Sequence, residues 1–414
     1  MANRLYPRFA SRRLVEALED SPVVLIHGPR QCGKTTLARA VGDPAGYLYY
    51  DFDLPATREA ARVDPVGFVA DLPKKAILDE VQHVPELFAI LKSAVDRDRR
   101  PGRLILSGSA NVLLVPRLSD SLAGRMEILR LHPLSQAELA GRESDFLDRL
   151  FGDGFAPGGA ERLGTDLVRR VLAGGYPAAL ARTSAARRMA WHRSYLESIL
   201  QRDVRDVTRI SALDVLPKLL QAAAAQTAGL FNLSALAAPF ALSRTTIRDY
   251  VTLLERIFLF ARLPSWHSNR LSRLVKTPKL HFGDTGLAAA LLDLDVESLT
   301  LDRARFGQLL ESFVFQELVR QASWQERPVG LYHFRDRDGV EVDLVLERGG
   351  RAVAGVEVKA GATVTNASFR GLRKLQEAAG SRFARGVVLY DGEQTLPFGD
   401  RLQAVPLRRL WEAA

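Results

Sequence analysis

Gly28-Pro29-Arg30-Gln31-Cys32-Gly33-Lys34-Thr35 fits the pattern G-x-x-x-x-G-K-[ST] and directly follows the apolar run Val23-Val24-Leu25-Ile26. A buried strand that delivers such a loop lets its backbone N–H groups curl around an anion, and the helix begun by Thr35 and Thr36 turns its positive end toward a phosphate. Lys34 is then the cation for the β- and γ-phosphates, and the Thr35 hydroxyl is a ligand for Mg²⁺. A glycine turn before an ordinary helix is the plainer alternative, and a second motif weighs against it. Lys75-Ala76-Ile77-Leu78-Asp79-Glu80 reads as a short buried strand ending in two carboxylates. Asp79 suits Mg²⁺, and Glu80 suits the polarisation of an attacking water, the division of labour in a Walker B element. Together the motifs imply a Mg²⁺-dependent site for ATP and ADP. A third apolar run, Arg103 to Leu106, ends in Ser107-Gly108-Ser109-Ala110-Asn111, where Ser107 or Ser109 could sense a γ-phosphate or simply form a turn. Arg125 is a candidate for stabilising γ-phosphoryl charge, in cis or from a neighbouring subunit, with a surface ion pair as the alternative. Cys32, the one cysteine, is either a small loop residue or a thiol whose pKa nearby amides lower.

A second set of chemically suited residues lies near the C-terminus. Gly339 to Glu347 alternates like a strand, Arg348-Gly349-Gly350-Arg351 turns, and Ala352 to Lys359 returns. A turn centred on the two glycines makes paired residue numbers sum to about 699, which sets Asp343 beside Val356 and Glu357. Alternation puts Glu357 and Lys359 on one side and Glu341 on the face of Asp343. Glu311, on a helical stretch from Gly307 to Phe315, is placed to close over them. Carboxylates gathered in this way hold Mg²⁺ through oxygen, and Lys359 would position a nucleophile or a phosphate. The set, an Asp followed by Glu-x-Lys on the next strand, resembles the restriction-endonuclease-like fold, although Val342 stands where many of those nucleases have proline. A hairpin with polar residues at an exposed edge is the alternative.

The elements that must position these residues follow from periodicity. Strands near 23–27, 47–51, 75–79, 103–107 and 126–131 alternate with helical stretches, the signature of an α/β parallel sheet covered on both faces. Asp51 and Asp53 end the second strand, near the switch point or merely at the surface. Residues 135–215 read as mainly helical, broken by Gly174-Gly175-Tyr176-Pro177, and are expected to form a lid over the nucleotide. Pro177 is a candidate contact for the base, or part of a plain interhelix turn, and Arg202 and Arg205 could reach the phosphates from a solvated helix face. Residues 216–280 have the order of a winged helix. Within them Ile247, Tyr250, Val251 and Leu254 share one face of a helix that Ser243 caps, and Arg244, Thr245 and Arg248 share the other. An apolar strand at 257–260, a turn with Arg270, Arg273 and Lys276, and a return at 279–282 would make the wing.

The charge is concentrated in the same segment. Of a net +9, residues 216–280 supply nine Lys/Arg against two Asp/Glu, the electrostatic footprint of a DNA-binding surface. A winged helix used for protein contacts is the alternative. With 47% hydrophobic residues, the 414-residue chain has enough apolar material for several cores. The absence of a long apolar stretch argues against a membrane span, and the N-terminal Met1 to Pro7 has no signal-peptide pattern, so a cytoplasmic location is expected.

The runs GPRQCGKT, AILDEVQHVPEL, LILSGSAN, SLAGR, GGYP, RDV and LHFGDTGL, with the C-terminal DGVEVDLVLERGGRAVAGVEVKAG, resemble a large prokaryotic family of AAA-type P-loop ATPases. Members carry a C-terminal region of unknown function with a restriction-endonuclease-like core. The resemblance implies a P-loop ATPase core over 1–142, a helical lid or linker over 143–215, a winged helix over 216–280 and a nuclease-like domain over 281–414. The function expected is an ATPase that couples nucleotide state to DNA binding, with DNA cleavage by the C-terminal domain left open. One rival is a nucleotide-dependent switch that hydrolyses ATP slowly and regulates a protein partner, with an inactive nuclease-like domain, and a homo-oligomer is left open. A nuclease that the ATPase module only gates is the third reading.

Overall fold

The computed structural model describes residues 5–109, 124–207, 215–240, 242–269, 273 and 276–412, with the side chains of 202–207 left out. Asn111, Arg270 and the 121–123 stretch therefore lie outside the described residues, as do the side chains of Arg202 and Arg205. The N-terminal sheet contains β1 (Val23–His27), β2 (Leu48–Asp51), β3 (Ala76–Asp79), β4 (Leu104–Gly108) and β5 (Met126–Arg130), in the spatial order β2-β3-β4-β1-β5. All its pairings are parallel. Every residue of β1, β3 and β4 is buried, which is why these strands read as unbroken apolar runs rather than alternating ones. Helices Ala10–Asp20, Lys34–Gly42 and Leu87–Arg97 pack on its faces.

The second half of the chain builds two further sheets. A three-stranded antiparallel sheet, ordered β6-β8-β7, consists of β6 (Gly229–Leu230), β7 (Phe260–Leu263) and β8 (Lys279–Phe282). Helices Leu233–Ala237 and Arg244–Arg256 lie between β6 and β7 in the chain, the latter capped by Ser243, whose side chain accepts from Thr246 N. The expected strand at 257–260 begins later: Leu259 N bonds back to Leu254 O and Phe258 adopts φ +65, so Ile257 and Phe258 turn the chain before β7. The C-terminal sheet contains β9 (Val329–Arg335), β10 (Glu341–Arg348), β11 (Ala352–Lys359), β12 (Phe383–Tyr390), β13 (Leu396–Gly399) and β14 (Leu402–Pro406), ordered β13-β14-β12-β11-β10-β9. The β10–β11 hairpin pairs Leu344 with Val356 and Arg348 with Ala352, one residue from the register centred on Gly349-Gly350.

The stretch expected to form a lid is helical, but much of it packs elsewhere. Helix Phe146–Phe151 lies on β11 and β12, and Thr165–Ala173 lies on helices Thr285–Leu291, Val296–Leu301 and Arg303–Ser323. Between them Phe155 N donates to Gln403 Oε1 at 3.1 Å and Leu163 N to Asp391 Oδ1 at 3.1 Å. The physical reason is burial: Phe146, Leu150, Phe155 and Leu167 belong to one apolar core that continues through Leu219, Leu254, Phe313, Val356 and Trp411.

One buried carboxylate ties this mass to the N-terminal sheet. Asp284, fully buried, accepts from Gly175 N at 2.8 Å, from Gly286 N at 2.9 Å and from Leu287 N at 3.4 Å. Arg320 approaches it at 3.5 Å while donating to Leu134 O and Glu317 Oε1, and Glu317 Oε2 accepts from Gln136 N. Gly174 has φ +65 and a Cβ there would meet Asp284 Oδ1 at 2.0 Å, so the motif's first glycine is what lets the carboxylate approach. Removing one partner of a buried charge pair costs about 3–5 kcal/mol because the other is left uncompensated. Asp284→Ala is therefore expected to lower the urea midpoint sharply, and Asp284→Asn, which keeps an acceptor, to lower it less. An unchanged midpoint for Asp284→Ala contradicts this account.

Candidate functional site

The glycine loop leaves the carboxyl end of β1 and closes against the end of β5. A Cβ at Gly28 would fall 2.1 Å from the Leu131 carbonyl oxygen, and Gly33 has φ +102, so neither position admits a side chain without strain. Lys34 begins the following helix, is buried, and donates to Gly28 O at 3.2 Å and Pro29 O at 3.0 Å. Its ammonium thus stays inside the loop, ready to exchange those carbonyls for phosphate oxygens. Thr36 and Gln31 are exposed, and Gln31 adopts φ 58. Cys32 is wholly buried with its thiol 3.7 Å from Leu131 O, and burial pushes its pKa up. Of the two readings of Cys32, the buried, desolvated thiol fits the small loop residue.

Asp79 lies beneath the loop. Thr35 Oγ1 donates to its Oδ2 at 2.8 Å, the Tyr49 hydroxyl to the same oxygen at 2.7 Å, and Ser107 Oγ to Oδ1. Burial raises the Asp79 carboxyl above its ordinary value, and the hydrogen bonds from Tyr49 and Thr35 pull it back. The hydroxyl and carboxylate oxygens of Thr35 and Asp79 form a donor set that suits a hard cation such as Mg²⁺. Glu80, next along, has φ 55 and its carboxylate accepts from Gln82 Nε2. Ser109 is fully buried and its Oγ has no hydrogen-bond partner among the described residues. Asp51 pairs with Asp79 across β2 and β3, while Asp53 lies 3.1 Å from His83.

Two residues that sequence reasoning did not single out complete this site. Arg8 donates to Cys32 O at 2.8 Å and to His132 O at 2.6 Å, and pairs with Glu138 at 3.0 Å, so it braces the loop from outside. Tyr49 holds Asp79 from the neighbouring strand. Neither belongs to a local pattern that points at the loop. Arg125 makes the surface ion pair that was its alternative: it precedes β5 at the level of Pro22, on the amino-terminal edge of the sheet, and bonds Asp96 at 2.6 Å. In parallel strands that edge lies opposite the loop, so Arg125 does not reach the phosphates of its own chain.

Pro177 opens the short helix Pro177–Leu180 and is half-buried. Beside it, Tyr176 hydrogen-bonds Tyr195 at 3.2 Å, and the Tyr195 hydroxyl reaches Arg30 O at 3.2 Å. Tyr176 also lines a cavity of about 820 Å³ with His27, Pro29, Arg130, Phe258 and Arg320. The loop, the Gly-Gly-Tyr-Pro turn and the region around β7 therefore border one space.

In the C-terminal sheet the expected residues do converge, but around an unexpected cation. The observed register sets Asp343 opposite Glu357. Asp343 Oδ2 accepts from Val358 N at 2.9 Å, and Lys359 bonds Glu357 Oε1 at 2.8 Å. Glu311 points to the same place, yet it is bonded at 2.7 Å to the Lys279 ammonium, which also lies 3.5 Å from Asp343 and 3.9 Å from Glu341. Among the described residues, three or more His, Cys, Asp or Glu side chains do not come together in a way that could hold a metal ion. The Lys279 ammonium thus lies against Glu311, Asp343 and Glu341, a cation that the reading of the residues did not place there. Burial works against the Lys279 charge, but Glu311 and Asp343 more than offset it and hold its pKa above the usual lysine range. Burial and Asp343 push the Glu357 carboxyl up to about 7.

The basic segment is divided in the same way. Arg244, Thr245 and Arg248 are exposed on the helix face opposite the buried Ile247, Tyr250, Val251 and Leu254. Lys218, Arg256 and Lys276 are exposed too. Arg262, however, pairs with Glu255, Arg273 is buried 2.7 Å from Glu347, and Lys279 lies among the acids. Part of the local charge excess is thus internal compensation, with Arg273 and Lys279 set against acids further along the chain.

A family model described as AAA domain matches residues 20–140. Two described as domains of unknown function, DUF8612 and DUF4143, match residues 164–298 and 306–410. The uncharacterized proteins Rv2008c of Mycobacterium tuberculosis and Mb2031c of Mycobacterium bovis are each 33% identical over 403 residues, which cover 96% of this chain and 83% of theirs. Among solved structures, the Walker-type ATPase paby2304 of Pyrococcus abyssi is 17% identical, covering 70% of this chain and 99% of that one, with a TM-score of 0.44. A point variant of RuvB from Thermotoga maritima is 18% identical, covering 62% and 89%, with a TM-score of 0.27.

Lys34→Ala is expected to abolish tight ATP binding in a nucleotide titration, whereas Glu80→Gln retains binding and loses turnover by two orders of magnitude or more, about 10²-fold for a group acting only in the transition state. Wild-type turnover by Glu80→Gln removes the assignment. A pH measurement tests the acid cluster. An unperturbed Glu titrates near about 4.3, so the folded state binds the extra proton between that value and about 7. Stability from this group is intact at low pH and is lost as pH rises through that window. Glu357→Gln removes the titration, so its stability relative to wild type should increase from pH 5 to pH 8. A difference that stays flat refutes the raised carboxyl.

Proposed function

The chain belongs to the same family as the two mycobacterial proteins, an AAA-type P-loop family with a C-terminal domain of unknown function, and on that basis we propose that it is a Mg²⁺-dependent ATPase that couples its nucleotide state to DNA. The observation that carries the ATPase part is the Thr35–Asp79 hydrogen bond directly under the glycine loop, with Glu80 next in the chain. The loop amides and Lys34 hold the phosphates, Thr35 and Asp79 hold Mg²⁺, and Glu80 orients water. Bound Mg²⁺ supplies charge neutralisation on the phosphates. Among the described residues the side-chain donors to Asp79 are neutral hydroxyls, which leaves its charge for that ion. Ser109, buried at the end of β4 and without a hydrogen-bond partner for its Oγ among the described residues, is our candidate for sensing the terminal phosphate, and Pro177 remains the candidate contact for the base. Arg125, on the far edge of the sheet, is suited to a neighbouring copy rather than to its own loop.

DNA is the second half of the reading. The order helix, strand, helix, helix, strand, strand from Val215 to Phe282 supports a winged helix, and helix Arg244–Arg256 offers Arg244, Thr245 and Arg248 to the outside. Exposed arginines at the start of a helix suit phosphate contacts. The link between the two halves is the shared cavity, which Pro29 of the loop and Arg256 of this helix both line. If the exposed arginines touch phosphates, replacing Arg244 and Arg248 with Ala weakens binding to all duplex sequences alike. The slope of log affinity against log salt should then flatten by about one per lost contact. An unchanged affinity and slope would move this helix to contacts with a protein partner, the rival reading.

A further inference from the structure

The carboxylates that converge in the C-terminal sheet already hold a cation, and it is covalently part of the chain. Lys279 belongs to β8, in the three-stranded sheet, while the acids come from helix Arg303–Ser323 and from β10 and β11. Its side chain is 3% exposed and makes contacts of 2.7 Å with Glu311, 3.5 Å with Asp343 and 3.9 Å with Glu341. Lys359 covers Glu357 at 2.8 Å from the more open side. Two ammonium groups thus provide the double positive charge that a divalent ion would bring to such a cluster.

We propose that Lys279 is the resident cation of this cluster, standing where a nuclease-like centre would carry its divalent ion and excluding that ion from the docked chain. Mg²⁺ binds carboxylate oxygens at about 2.1 Å. An ion bound by Glu311 Oε1 and Asp343 Oδ1 would have to share their approach with Nζ. Like charges at that separation repel strongly inside a protein. The second Asp343 oxygen is already committed to Val358 N. The lysine also does what a metal cannot: it joins the cluster to the sheet that follows helix Arg244–Arg256, so the acids serve as a docking socket for β8. This inference holds whether or not the chain hydrolyses ATP.

The test is Mn²⁺ binding to the nucleotide-free full-length chain, read from the electron paramagnetic resonance of free Mn²⁺. Wild type and Asp343→Asn should bind the same number of Mn²⁺ ions. Lys279→Met should gain one site, with a melting temperature that rises as Mn²⁺ is added, and Lys279→Met combined with Asp343→Asn should lose that site. Any ion held elsewhere cancels in these differences. An ion in wild type that Asp343→Asn releases overturns the proposal. So does a folded Lys279→Met that binds no more Mn²⁺ than wild type. If Lys279→Met does not fold, the wild-type and Asp343→Asn pair decides alone. Equal Mn²⁺ counts, with a lower melting temperature for Asp343→Asn, support the resident lysine, and an Asp343-dependent ion rejects it.

Discussion

A fully buried carboxylate must be matched by donors, and Asp284 shows how much of an architecture that requirement can fix. Three backbone amides and one guanidinium converge on it. The amide of Gly175 is available only because Gly174 turns with a positive φ, and those of Gly286 and Leu287 only because a helix starts there. Arg320 is held in turn by Leu134 O and Glu317. Through Leu134 and Gln136 this network reaches the segment just after β5, so the edge of the nucleotide-binding sheet is anchored to the centre of the second core. Such a site tolerates little adjustment, since any missing partner leaves charge stranded in a low-dielectric interior.

The chain has two carboxylate centres, and their partners give them opposite chemistry. At Asp79 the donors are hydroxyls of Thr35, Tyr49 and Ser107, all neutral. They orient the carboxylate without cancelling it, and a cation remains to be recruited. At Asp343 and Glu311 the partner is a buried ammonium, and the charge is settled within the fold. Residue types alone make the two centres look alike. The difference lies in one lysine that arrives from another sheet.

That lysine also marks the limit of what the amino-acid order made legible. Strands β1 to β5, the Ser243 cap and the two faces of helix Arg244–Arg256 were all readable, because full burial makes the inner strands continuous apolar runs, while a cap and a 3.6-residue period mark the helix. The β10–β11 register was readable to within one residue because Gly349 and Gly350 fix the turn. Lys279, Arg273, Arg8 and Tyr49 were not. Each makes its decisive contact with a residue far along the chain, and nothing in its own neighbourhood signals that contact. The basic excess over 216–280 misled for the same reason, since Glu347, Glu311 and Asp343 lie outside the window in which it was counted. Helices at 146–173 were anticipated, but which surface would cover them depends on the assembled core, to which Phe146, Phe155 and Leu167 contribute.

Tyr195 sits near the middle of the 23-residue helix Ala185–Val207, which at 1.5 Å per residue is a rod roughly 34 Å long. Stacked on Trp191 and bonded to the Arg30 carbonyl, it couples that rod to the glycine loop away from either end. Leu196 and Ile199 of the same helix are buried in the second core, so the rod fastens the carbonyl of the glycine loop to that core rather than leaving it to solvent.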